Sequence, residues 1–346
     1  MMRISLFCIL AASIMTISCS SCSPIEDLRD FSGTDLFPPV IEGISPINER
    51  SISLQFNENI NIDSAPIITP AVGEITIENK GSNLILNFSS NLNAGTHYVI
   101  EATVEDESRN SMKFMMPFYG YNSNIPNILI NEFTTQGSAK HPDVVELLVQ
   151  EGGNLAGLFL VEGTTDYIED SFTFPSCEVS AGDFILIHFK PKGIAEEIDE
   201  TTSELSISEG FDASDTARDF WVEGGNGLGG NNGTICLYSF PGGELIDAVL
   251  YSNRTSSSDE KYSGFGSTKM LNKSIQIQEE GGWNSLSDNL KLSPEDAINP
   301  EDSTATRSIC RTPGAADTNS ATDWHITPTS GYSFGYNNTE EIYVPK

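Results

Sequence analysis

The sequence predicts an all-β protein, two tandem β-sandwiches behind a short exported leader. Three observations predict it. Segments such as Ser51–Phe56 and Glu74–Glu78 alternate polar and apolar residues, the period of a half-buried strand. Turn residues, among them Lys80-Gly81-Ser82-Asn83 and the Gly95 turn, separate such segments at short and regular intervals. The one long apolar run, Ile4–Ile17, stands at the N-terminus behind Arg3, which is the layout of a secretory signal.

That run is about 15 residues, whereas a helix that crosses a bilayer needs roughly 20, so removal is expected rather than retention. It ends in Thr16-Ile17-Ser18-Cys19, which resembles the lipobox of bacterial lipoproteins, with Thr16 in place of the usual Leu-like residue. The resemblance implies cleavage after residue 18 and acylation of Cys19, with Cys22 as the alternative attachment site. Acyl chains hold a protein on a membrane by about 0.8 kcal/mol per buried methylene, so two or three anchor it stably. The expected location is the cell envelope, membrane-anchored, facing the periplasm or the cell surface. Residues 19–37 carry acids and no periodicity, as a solvated tether does.

Composition narrows the partners. Eighteen Lys and Arg oppose 49 Asp and Glu, a net charge of −31. Such a surface repels phosphate backbones, which need basic side chains to neutralise them, so nucleic acid is not expected as a partner. Cationic partners or divalent ions are compatible with it. Beyond the leader, Cys22, Cys177, Cys236 and Cys310 are open either to disulfide pairing in an exported compartment or to burial as free thiols. Their wide spacing argues against a metal cluster.

Residues 38–120 form the first predicted sandwich. Ser53-Leu54-Gln55-Phe56-Asn57-Glu58-Asn59-Ile60 and Leu92-Asn93-Ala94-Gly95-Thr96-His97-Tyr98 resemble the strand and the "Gly-Thr-x-Tyr" turn of bacterial Ig-like domains. Asp106-Glu107-Ser108-Arg109-Asn110 departs from that family's Asp-x-x-Gly-Asn by lacking the glycine. A short linker around Gly120–Asn127 implies that the two domains touch.

The second predicted sandwich spans 126–318, with its main body at 126–253 and a closing piece near Thr312-Pro313-Gly314-Ala315. Ile130-Asn131-Glu132, Asp143 through Glu146-Leu147, Leu155-Ala156-Gly157, Gly182-Asp183-Phe184 and Gly243-Glu244 with Asp247 follow one another in order. This series resembles the lamin tail domain, an Ig-like sandwich. Val144 stands where that family has Trp, which should cost core volume rather than fold. Residues 189–219 and 254–308 read as long polar insertions, of the kind that carry function or disorder. The first holds Glu196, Glu197, Asp199, Glu200 and Glu204; the second is Ser- and Asn-rich around Lys261, Lys269 and Lys273. Residues 319–346 form an aromatic tail with Trp324, Tyr332, Phe334, Tyr336 and Tyr343, expected to pack across the sandwich.

No catalytic constellation emerges. His97, His141, His188 and His325 are scattered, and none sits in an H-x-x-x-H helix. The glycines of Gly224–Gly230 lack the Lys-Ser/Thr of a phosphate loop and are expected to serve a turn. Asp143 and Glu146 are three apart, which places them on opposite faces of a strand and prevents shared acid/base work. Calcium is the one ion worth testing, at Glu105-Asp106-Glu107 with Asn110 or at Asp212 with Asp215; no other cofactor is expected. The expectation is a non-catalytic envelope protein that binds or tethers a protein or envelope ligand. The alternatives are an accessory component of an exported hydrolase or nuclease, and a Ca²⁺-dependent adhesin.

Overall fold

The computed structural model describes residues 35–287 and 291–345, so the leader, Cys19 and Cys22 lie outside the described residues. The chain is all-β. The first sandwich contains β1 (Ile41–Asn48), β2 (Ser51–Phe56), β3 (Asn61–Ile62), β4 (Ile67–Thr69), β5 (Ile75–Lys80), β6 (Asn83–Phe88), β7 (His97–Glu105) and β8 (Ser111–Tyr119). One sheet has the order β1-β2-β6-β5; in the other, β7 pairs β8 on one side and β3 and β4 on the other. The period-2 pattern drives the two sheets together. Ile52, Leu54 and Phe56 of β2 with Leu84, Leu86 and Phe88 of β6 meet Tyr98, Ile100, Ala102 and Val104 of β7 in one buried core.

The second sandwich runs through β9 (Asn127–Phe133), β10 (Val144–Glu151), β11 (Gly153–Asn154), β12 (Phe159–Thr164), β13 (Tyr167–Thr173), β14 (Glu178–Val179) and β15 (Phe184–His188). It continues with β16 (Arg218–Trp221), β17 (Asn232–Tyr238), β18 (Leu245–Ser252), α1 (Thr268–Glu279), β19 (Ile309–Arg311) and β20 (Trp324–Ile326). A six-stranded sheet, β16-β15-β10-β9-β19-β20, packs on a four-stranded one, β13-β12-β17-β18. Ile130, Val145, Leu147, Ile185 and Ile187 from the first meet Leu160, Ile235, Leu237 and Val249 from the second. The β9–β10 register shifts between Glu146 and Leu147. This bulge lets Ile130 and Phe133 both reach the core while Glu132 stands beside its cross-strand partner Glu146 on the outer face.

Both long insertions are folded. In 254–308 the expected polar loop contains a helix, α1, which packs on β12 and β17. Ser267 caps it by accepting from the Met270 amide, and Met270, Lys273, Ser274 and Ile277 form its buried stripe. Lys269 and Lys273 both reach Glu169 at 2.7 Å. In 189–219 three of the five acids from Glu196 to Glu204 serve the chain itself. Glu197 accepts from the amides of Lys192, Gly193 and Ile194; Asp199 accepts from the Trp221 amide. Glu200, fully buried, accepts from Ile207, Ser208 and Asp219.

The two sandwiches touch through backbone. Asn122 of the linker donates to the carbonyls of Asn154 (2.7 Å) and Ala156 (3.0 Å). Gly95 and Gly157, one from each domain's turn, lie so close that a β-carbon on Gly157 would sit 2.9 Å from the Gly95 Cα. Gly157 also has φ +82°, a region costly for any residue with a β-carbon. Gly157→Val should therefore cost about 2 kcal/mol. It should also speed limited proteolysis of the 120–127 linker, compared by gel time course with the unaltered chain.

Candidate binding cleft and the buried polar belt

The residues singled out for chemistry are mostly occupied with structure. Asp143, just before β10, accepts from the Gly137 amide at 2.6 Å and the Leu228 amide at 2.9 Å. Glu162 accepts from Gly229 at 2.5 Å and Asp170 from Asn226 at 3.2 Å. The glycine-rich loop is thus tied down at three points by carboxylates, with Gly224 and Gly227 at positive φ to make its turns. Burial raises both the Asp143 and Glu162 carboxyls above their usual range. Glu146 faces the other way, so it and Asp143 share no site, as their spacing requires.

Across the outer face of the six-stranded sheet runs a belt of ionisable side chains. Glu146 pairs with Glu132, Glu132 with Cys310, and Cys310 with His325 in successive cross-strand positions. Cys310 Sγ lies 3.4 Å from His325 Nε2, whose Nδ1 is 3.2 Å from the Thr312 hydroxyl. A thiol beside an imidazole suggests a nucleophile, but the surroundings oppose it. Burial holds the Cys310 thiol far above its usual range, the two glutamates add to the effect, and burial lowers His325. A nucleophilic cysteine needs the opposite electrostatics. Sequence reading missed this belt because its members come from four strands, although Glu132 and Glu146 both sat in quoted motifs.

The aromatic tail covers the belt. Ser333 donates to Glu132 through its amide at 2.9 Å and its hydroxyl at 2.6 Å, and the Gly335 amide donates to Glu146 at 2.5 Å. Phe334 packs on Val144, Leu186 and Ala217. Val144 belongs to this outer patch and not to the inter-sheet core, so a small residue there takes nothing from the core expected to shrink. Burial raises Glu132, and burial together with Glu132 raises Glu146 well above the usual carboxylate range.

The closing motif contributes a second buried charge site. Arg311 donates to Asp247 at 2.9 and 3.0 Å, to the Ile130 carbonyl at 2.6 Å, and to Asp317 at 2.8 Å. Burial pushes the Asp247 carboxyl up to about 6 even against this guanidinium.

The remaining cysteines do not bridge. Cys177, Cys236 and Cys310 are free and buried, which corrects the disulfide alternative for these three. Cys236 faces the helix side of the β12–β17 pair and Cys310 the belt, so they stand on separate sheets. His141 meets Asp212 at 2.8 Å, which occupies one calcium candidate; His188, stacked on Trp221, meets Asp219 at 2.7 Å. At the other candidate, Asp106 closes the β7–β8 turn by accepting from Asn110. Its acidic neighbours are Asp35 and Glu58, whose oxygens gather with its own within 4.8 Å, and not Glu105 or Glu107. Three carboxylates carry six oxygens, the lower end of the roughly six to eight that Ca²⁺ takes.

One concavity with accessible side chains lies where the domains meet. A cleft of about 550 Å³ is bounded by Ser45, Tyr119, Tyr121, Ser239, Phe240 and Glu244, over a floor that includes Gly120 and Gly157. A second cleft, of about 480 Å³, opens at the Gly95 turn opposite Phe174 and Ser176.

Residues 126–326 match the family described as TP_1001, protein second domain. The chain belongs to this family. The match takes in the whole six-stranded sheet, the belt and Arg311. An uncharacterized protein of Treponema pallidum (strain Nichols) is 26% identical over 201 residues, which is 57% of this chain. The matched part is 51% of that relative's length, so the likeness spans about half of it. No helix among the described residues is long and apolar enough to cross a membrane.

Proposed function

We propose that this protein is a non-catalytic, lipid-anchored component of the cell envelope that binds a ligand at the junction of its two sandwiches. One contrast carries the reading. The belt, the loop carboxylates and Arg311 are buried and hydrogen-bonded within the chain, to side chains and backbone, whereas the interdomain cleft offers rings and hydroxyls at the surface. Clefts between domains, of roughly 300–1,000 Å³ and lined by aromatic and a few polar groups, are where ligands commonly bind. The lipobox-like Cys19 supports attachment to a membrane, and the resemblance to bacterial Ig-like and lamin tail domains supports an interaction role.

Two measurements test it. Metabolic labelling with palmitate should label the full chain and be lost in Cys19→Ala; a chain that stays labelled there and loses label in Cys22→Ala moves the anchor. Absence of label in the unaltered chain overturns the anchor altogether. Crosslinking on intact cells should capture a partner through cleft residues. Turnover of an ester, peptide or phosphodiester substrate by the purified chain would overturn the non-catalytic reading.

A further inference from the structure

We propose that the interdomain cleft accepts a neutral oligosaccharide, an inference that rests on the binding reading above and gives it a ligand class. The lining decides the class in three steps. First, among the described residues no Lys, Arg or His lines the cleft, and the one charged side chain lining it is the exposed Glu244, in a protein of net charge −31. An anionic ligand would therefore enter without any counter-charge.

Second, part of the backbone along the lining is already engaged. The Gly120 amide donates to Thr96, Gly157 to Phe174, Gly243 to Phe240 and Ser239 to Glu244. Asn122 is committed to Asn154 and Ala156. A peptide that bound by strand addition would need a row of free backbone donors and acceptors, and this cleft lacks one at those positions. Third, what remains is side chain: the half-buried rings of Tyr119, Tyr121 and Phe240, and the hydroxyls of Ser45 and Ser239. The Ser239 oxygen accepts from the Glu244 amide and keeps its own proton to donate. Flat rings that carry apolar faces, beside hydroxyls that donate and accept, match the alternating C–H faces and hydroxyl edges of an uncharged sugar.

The test titrates the full chain, by saturation-transfer NMR and calorimetry, with neutral tetrasaccharides: the β-1,4-linked N-acetylglucosamine, glucose and α-1,4-linked glucose series. A galacturonate tetramer and an oligolysine peptide serve as the charged probes. At least one neutral sugar should bind, and Phe240→Ala should weaken it at least tenfold. Glu244→Trp, at an exposed position that leaves the fold unaffected, should block the cleft, while Tyr336→Ala on the tail should change nothing. The galacturonate tetramer should fail to bind.

Binding by no neutral sugar overturns the proposal, as does sugar binding that survives both cleft variants. Oligolysine bound alone, and lost in Glu244→Trp, overturns the sugar but leaves the cleft a binding site. A crosslinked partner whose capture ignores both variants overturns the cleft but leaves the protein a binding protein.

Discussion

Arg311→Met should destabilise the second sandwich by about 3–5 kcal/mol, the cost of removing one member of a buried ion pair. The arginine is 8% exposed, and the carboxylate it leaves behind, Asp247, is 4% exposed. Asp247 would retain the Ile130 amide at 2.7 Å but lose both guanidinium contacts. Total stabilities run to about 5–15 kcal/mol, so the variant should sit near the edge of folding. A second substitution distinguishes lost pairing from lost packing. If an orphaned charge is the cause, Arg311→Met with Asp247→Leu should recover most of the denaturant midpoint, because an apolar pair can replace a buried ionic one. Equal midpoints for the single and double variants would refute that cause. The single variant should also suffer less at pH 5 than at pH 8, since protonation of Asp247 removes the buried charge.

Ending the chain at Ser330 should cost about 3 kcal/mol, the scale of two or three hydrogen bonds to carboxylates plus one aromatic contact. It should also change how stability varies with pH. In the intact chain Glu132 and Glu146 are raised above their unfolded values, as is Asp247, up to about 6. A carboxyl raised by folding contributes its stability in full below the unfolded value, about 4.3, and loses it as pH rises through the folded one. These three groups should therefore make the intact chain unfold at progressively lower temperatures as pH rises from about 4.3 toward 8. Without the tail, water reaches both glutamates and their values fall back. The truncated chain should be less stable at pH 5 and show a flatter decline. Calorimetric scans at four pH values read both effects, and parallel slopes for the two chains would show that the tail does not seal the belt.

Much of the fold was legible because strands announce themselves by period. Ile52, Leu54 and Phe56 alternate with Ser53 and Gln55, and the core follows from that alone. The helix α1 was not legible, since its buried stripe is Met270, Lys273, Ser274 and Ile277, too polar to separate from a solvated loop. The acids of 189–219 misled in a similar way. A sequence gives Glu197 and Glu200 as charges, and only the folded loop reveals them as acceptors for its own amides. Of the candidate site, the motif pieces Glu132, Glu146, Asp247 and Gly157 were visible singly. Their partners, Ser333, Gly335, Arg311 and Gly95, are remote in sequence, and no local pattern joins them. The cleft had no sequence signal, because it is assembled from β1, the linker and the β17–β18 turn.

The meeting of Gly95 and Gly157 bears on how this protein can change over time. Two bare backbones in van der Waals contact limit how closely the domains approach, so the aperture of the cleft depends on that contact and on Asn122 rather than on the rim side chains. Those side chains, at positions such as Tyr121, Phe240 and Glu244, are free to vary without disturbing the frame that holds them. Under the proposed binding role, a lineage would exchange one ligand for another by altering the rim alone, while any change at the two glycines alters the opening itself.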